Sequence, residues 1–259
     1  MASSALTIYE QPLTERLRTL LRIEFLLAQF DAGRRGEDEW HSRLAISALT
    51  DLIAVLSARS DLRSEFIKEL ERQISVLQPL EHSQNIDHDK LRQLLEQARK
   101  LAESLRSPLA LPTKELKADE LLAAVAQRSG IPGGTCSFDL PAFEHWLRLP
   151  YTKRAESFTR WSERVALLQS ACGFILSVLR DSAHPRNCVA EGGHFQQPLE
   201  RQSNCQLIRV ALPAEAGCYP EISGSKHFIT IRFLGMEDPR ERPVTVDADV
   251  EFELSLCSM

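Results

Sequence analysis

The sequence predicts an α+β protein, an antiparallel helical bundle joined to a separate antiparallel β-sheet domain, with both domains discontinuous along the chain. Three observations lead there. Up to residue 130 apolar side chains recur at three- and four-residue spacing, the period of a helix face. The same spacing returns, more strongly, at about 153–182. From residue 184 onward it gives way to two-residue alternation, the period of a strand. The expected boundaries are therefore 1–130 with 151–183 for the helical domain, and 131–150 with 184–259 for the β domain.

Each element has its own signal. Pro12 suits a first helical turn, and Leu13, Leu17, Leu20, Leu21, Leu27 and Phe30 follow as a stripe closed by Gly33 and Gly36. A second helix, about 39–58, turns Leu44, Leu49, Leu52, Ile53 and Leu56 inward. Ser60 and Asp61 are candidate caps for a third, carrying Leu62, Phe66, Leu70, Ile74 and Leu77 and stopped by Pro79. Asp87 is placed to cap a fourth, with Leu91, Leu94, Leu95, Ala98, Leu101 and Leu105. A shorter helix, about 117–128, ends at Gly130, a common residue just past a helix end. Pro132, Gly133 and Gly134 cannot continue it. Phe138, Leu140, Phe143 and Trp146, broken by Pro141, then read as a first β segment inserted between helices.

The helix at 153–182 is apolar on two stripes. Phe158, Trp161, Val165, Leu168, Cys172, Ile175 and Leu179 form one, and Leu167, Ala171, Phe174 and Val178 the other. Such a helix must be covered on two sides. The cover is either the earlier helices alone or those helices and a second copy of the chain. Beyond it, 206–212 alternates on Ile208, Val210 and Leu212. The run 226–233 alternates on His227, Ile229, Ile231 and Phe233, and 250–256 on Val250, Phe252, Leu254 and Leu256. The stretches 184–193, 196–204 and 215–220 read as turns and polar loops.

With 259 residues, 43% hydrophobic and 26% charged, the chain can bury a substantial core. A net charge of −5 argues against an obligate nucleic-acid binder, as does the lack of interleaved aromatic and basic residues. No unbroken apolar run reaches membrane-spanning length, and the first residues lack the pattern of a secretory signal. The six cysteines, at 136, 172, 188, 205, 218 and 257, form no CxxC pair and read as reduced cytosolic thiols.

Chemistry has few footholds. Pro132-Gly133-Gly134 and Gly192-Gly193 lack the strand, spacing and lysine of a phosphate loop. Cys136, Asp139 and His145 are close in sequence, but triad partners converge in space, and the plain reading is a half-buried thiol beside surface polar groups. His184, Cys188, His194 and Cys205 are a metal-like set whose spacing fits no familiar zinc pattern; a metal-dependent or thiol enzyme built on them is the alternative reading. The outward face of the C-terminal strands is the stronger candidate. There Lys226 and Arg232 share a face with Phe228, and Arg209 is placed to join from a neighbouring strand. Charge-assisted bonds from such a face would hold an acidic peptide. The plain alternative is cross-strand pairing of Arg232 and Arg209 with Glu251 and Glu253.

Several motifs, in order, resemble the ZapD family of bacterial cell-division factors. They are Leu21-Arg-Ile-Glu-Phe-Leu26, Lys68-Glu-Leu-Glu-Arg-Gln73, the unbroken Ile131-Pro-Gly-Gly-x-Cys-Ser-Phe-Asp-Leu-Pro141 with Trp146-Leu147, Tyr219-Pro-x-Ile-Ser-Gly-x-Lys226, Ile231-Arg-Phe233 and Phe252-Glu-Leu254. The resemblance covers nearly the whole chain. It implies a dimeric, non-catalytic cytosolic protein without a cofactor, acting at the mid-cell division septum. It also implies binding to the acidic C-terminal tail of FtsZ, the tubulin-like division GTPase, and crosslinking of FtsZ filaments into bundles in the Z ring. Neither nucleic acid nor membrane insertion is expected. Lys226, Arg232 and Arg209 keep the family's basic character, and so does Lys117. Two positions depart: Phe228 and Glu120 stand where the family can carry arginine.

Overall fold

A computed structural model of the chain describes residues 5–84, 86–199, 204–225, 227–236, 238 and 240–259. The chain divides into two compact units. One is Thr19–Leu176, and the other joins residues up to Arg18 with Ser177–Met259.

The helices are α1 (Glu15–Arg35), α2 (Glu39–Ser57), α3 (Leu62–Leu77), α4 (His88–Leu105), α5 (Thr113–Lys117), α6 (Glu120–Arg128), α7 (Pro141–Arg148) and α8 (Tyr151–Asp181). Aspartates start three of them. The carboxylates of Asp38, Asp87 and Asp119 accept from the backbone N–H groups of His41, Lys90 and Leu122, as N-caps do. Asp61, expected to cap α3, makes no such bond. The helix expected at 117–128 is α6, which starts at Glu120 behind the Asp119 cap; the short α5 before it carries no signal of its own. Pro79 sits in a 3-10 turn, Gln78–His82, that ends α3.

Helix α8 is the core helix of this unit. Phe158, Trp161, Val165, Leu168, Ala171, Cys172, Phe174, Ile175 and Leu176 are all buried. Neighbouring helices bond directly to it. Gln73 Nε2 of α3 donates to the Ile175 carbonyl at 2.9 Å, and Cys172 Sγ donates to the Leu20 carbonyl of α1 at 3.2 Å. By length and composition, an 18-residue window of α8 is apolar enough to cross a membrane, with a mean hydropathy of 1.3. Half of that window is buried within the protein. Its few polar residues are interspersed, so it contains no unbroken apolar run of that length.

The stretch 131–150 corrects the sequence reading. It is not a β segment but a series of turns followed by α7, and it lies within Thr19–Leu176. Pro141 occupies the first helical turn, where its missing N–H costs nothing. Phe143, Trp146 and Leu147 then fall at helical spacing, not strand spacing. Trp146 meets Phe143 at 6.2 Å, Phe158 at 5.7 Å and Trp161 at 6.0 Å between ring centroids. Trp161 Nε1 donates to Asp119 Oδ2 at 2.9 Å, so the residue that caps α6 also anchors the cluster. Arg154, buried on α8, donates to the carbonyls of Asp38 and Leu149 at 3.2 and 3.1 Å and to Glu37 O and Ser42 Oγ. It thereby fixes the loops entering α2 and α8.

The strands are β1 (Leu6–Pro12), β2 (Arg186–Ala190), β3 (His194–Pro198), β4 (Cys205–Pro213), β5 (Cys218–Gly224), β6 (Phe228–Gly235), β7 (Val244–Thr245) and β8 (Val250–Ser258). One sheet runs β1-β4-β8-β2; the other runs β3-β6-β5, with β7 on β6. Every pair is antiparallel. The inner faces share one core, with Ile208, Val210, Leu212, Ile229, Ile231, Phe233, Phe252 and Leu254 buried in it. The predicted alternation of β4, β6 and β8 holds over most of its length. It fails at Leu207, Ser255 and Cys257, which are buried on the opposite face.

Five strands, β1, β2, β3, β5 and β7, depart from the sequence expectation. β1 was read as a helix start because of Pro12, but β1 is an edge strand, where proline is tolerated. The same holds for Pro220 in β5. β2 and β3 were read as loops because they are polar. Gly192 and Gly193, at φ 51° and 72°, form the two-residue turn between them, the left-handed geometry that a tight hairpin requires.

Candidate functional site

The outward face of the β3-β6-β5 sheet is built in rows by the strand register. His194, Arg232 and Glu221 form one row, Gln196, Thr230 and Ser223 the next, and Pro198 and Phe228 a third. Arg232 and Phe228 are four residues apart on β6 and so lie about 13 Å apart along one face. Phe228 is 49% exposed. Arg232 pairs with Glu221, but their side chains are 51% and 52% exposed. An ion pair so open to water is worth about 0–1 kcal/mol, little enough for a ligand carboxylate to compete for the guanidinium. Lys226, the remaining cation expected on this face, lies outside the described residues.

Arg209 does not join this face, which corrects the sequence reading. It lies on β4, in the other sheet, so its outward side chain belongs to a different surface. Its Nε donates to Glu10 Oε1 of β1 at 2.9 Å, and Arg180 of α8 donates to both oxygens of the same carboxylate at 2.8 and 2.7 Å. Glu10 is 17% exposed, so this is a largely desolvated bridge whose members depend on one another. The carboxylates expected to pair with Arg232 and Arg209 were Glu253 and Glu251, whereas the structure supplies Glu221 and Glu10. Lys117 is exposed at the end of α5, in the helical unit. Near α5, Arg160 and Arg164 of α8 line a shallow depression with Glu115, Asp119 and Glu120. Those two arginines went unnoticed because each also reads as part of a solvated helix face.

The metal-like set does not converge. Cys188 lies opposite Phe252, on the inner side of its sheet, while His194 lies opposite Arg232, on the outer side of the other. Among the described residues no three His, Cys, Asp or Glu side chains are grouped to hold a metal. Burial pushes the Cys205 and Cys257 thiols up to about 11, away from the thiolate needed for reactivity. Cys136 Sγ donates to Asp139 Oδ2 at 3.7 Å, and Asp139 is engaged by Arg128 at 3.6 Å. His145 is exposed on α7 and bonds to neither Cys136 nor Asp139.

The helical unit holds a second surface that sequence reasoning missed. The turn 131–136, α2 and Phe143 of α7 enclose an open groove of about 720 Å³. Gly133 has φ 71°, and a Cβ on Gly134 would stand 2.6 Å from the Arg128 carbonyl, so both glycines are needed for the turn. Trp40, Leu44 and Ile131 reach the groove while 72%, 38% and 48% exposed; Leu44 had been expected inside. Arg43 lies against the rings of Trp40 and Phe143, 5.5 and 5.1 Å from their centroids. Its Nη1 donates to the Thr135 carbonyl at 3.2 Å and its Nη2 to Glu144 at 3.1 Å. The available signal was Trp40 and Leu44, one helical turn apart on a single face.

These surfaces define an α+β protein whose candidate sites are open docking faces. A family model described as ZapD, cell division protein, matches residues 21–232. A protein of Methylococcus capsulatus named cell division protein ZapD is 39% identical over 251 residues, covering 96% of this chain and 97% of that protein. One of the same name from Cupriavidus metallidurans is 35% identical over 252 residues, covering 97% and 99%. The chain belongs to the ZapD family of cell division proteins.

Proposed function

We propose that this protein binds the acidic C-terminal tail of FtsZ and crosslinks FtsZ filaments, without catalysing a reaction, in the cytoplasm at the division site. The observation that carries the reading is the β6 face: an exposed guanidinium, paired among the described residues with a solvent-exposed carboxylate, and an exposed aromatic ring share one strand face. An extended acidic peptide along that face would give a carboxylate to Arg232, a second to Lys226, and an apolar side chain to Phe228. A dimer carries two such faces. A filament offers many tails at short intervals, so the second contact is effectively intramolecular, and weak single contacts add up to firm bundling.

Titration of a labelled FtsZ tail peptide across a salt series tests the electrostatic part. Affinity should fall about tenfold or more between 50 and 300 mM salt, because exposed charges are screened over roughly 6–14 Å in that range. A salt-independent affinity would mean that charge does not hold the tail.

A further inference from the structure

We infer that His194 is a further contact for the acidic tail and that its proton governs how firmly the sheet face holds that tail; this rests on the tail-binding reading above. The register sets His194 of β3 directly opposite Arg232 of β6, which places their Cβ atoms about 5 Å apart on one face. His194 is exposed. Among the described residues its ring makes no hydrogen bond or ion pair, so both ring nitrogens are open to a ligand.

Charge makes this residue decisive. With His194 neutral, the row His194, Arg232, Glu221 holds one guanidinium and one carboxylate, and these pair with each other. The row then has no net charge with which to attract an acidic peptide. A proton on His194 gives it two cations for one carboxylate, and a carboxylate of the tail can take the spare one. At the hairpin end, Glu191 bridges to His194 across the turn. Asp249 Oδ1 accepts from the Gly192 N–H at 2.9 Å, and Asp247 lies beside the same glycine. Arg186 of β2 is engaged by Gln197. These groups act on the free and the bound protein alike, so the difference between the two states comes from the tail. A carboxylate beside the ring favours its protonated form. Binding therefore takes up a proton and tightens as the pH falls from about 8 to 5.5, the range in which histidine becomes charged. Aspartate and glutamate ordinarily stay ionised there.

The probe is a labelled synthetic FtsZ tail peptide without histidine, titrated by fluorescence anisotropy with the full chain at constant ionic strength. The parent should bind about fivefold tighter at pH 5.5 than at pH 8, the worth of one exposed charge pair. His194→Gln should give a flat profile at the weaker level, and His194→Arg a flat profile at the tighter one. Because His194 is open to water, both variants should keep the circular dichroism of the parent. His227→Gln, which removes the exposed histidine beside Phe228, should keep the parent's slope. A slope that survives His194→Gln, or that His227→Gln alone abolishes, would overturn the inference. A flat parent profile, with binding still weakened by Arg232→Glu, would overturn it too and leave the sheet face standing. Tail binding that Arg232→Glu does not weaken at any pH would remove the sheet face, and His194 with it. No tail binding by the parent protein would remove both.

Discussion

A chain carrying Lys226→Glu and Arg232→Glu is expected to fold as the parent does and to lose pelleting with FtsZ polymers. Arg232 is exposed, and Glu221, its ion-pair partner among the described residues, is exposed as well, so the reversal costs the fold little. The effect on a bound acidic tail is larger. Each reversal removes a charge-assisted bond and adds a repulsion, so the pair should weaken a single contact by about a hundredfold. Crosslinking needs two contacts at once and multiplies the loss. Pelleting assays with polymerised FtsZ, run beside circular dichroism and thermal melts, read both halves of the prediction. A well-folded double variant that bundles filaments like the parent would remove the sheet face from the mechanism.

The second large effect is on stability. Trp161→Ala is expected to destabilise the helical unit by about 4 kcal/mol. The indole is 1% exposed and touches Trp146 and Phe158 at centroid distances of 6.0 and 5.7 Å. Its removal opens a cavity at the meeting of α7 and α8. It also takes the Nε1 donor from Asp119, which caps α6. Trp161→Phe keeps most of the volume and loses the hydrogen bond, so it should cost about 1–2 kcal/mol. Urea unfolding followed by far-UV circular dichroism measures both. A loss below about 1 kcal/mol for the alanine variant would mean that the cluster relaxes around the gap.

The elements legible in the sequence are those whose burial follows one period over most of their length. Helices α2, α4 and α8 and strands β4, β6 and β8 bury apolar residues on a regular face, and their bounds fall within a few residues of expectation. Strands β1, β2, β3 and β5 were illegible because they are edge or near-edge strands. One side is wet and proline is allowed, so polarity and Pro12 or Pro220 counted wrongly against them. Helix α7 was hidden by its length: with four aromatic or aliphatic residues around Pro141, the period cannot be read until Pro141 is recognised as a first-turn residue.

The candidate face was half legible. Alternation alone puts Phe228 and Arg232 on the same side of β6. Which sheet β4 belongs to is a long-range property that alternation cannot reveal, so alternation groups Arg209 with Arg232, whereas its partner is Glu10, a carboxylate that Arg180 shares. The separation of Cys188 from His194 has the same origin. The groove needed three distant segments, at 40–44, 131–136 and 143, and no local pattern joins them.

FtsZ lacking its C-terminal tail puts the central claim to the sharpest test. Its filaments, polymerised with GTP and mixed with this protein, are pelleted at low speed and viewed by negative-stain electron microscopy. Single, unbundled filaments with the protein left in the supernatant are the predicted result, against cables with the full-length polymer. Cables of tailless filaments containing stoichiometric protein would contradict it.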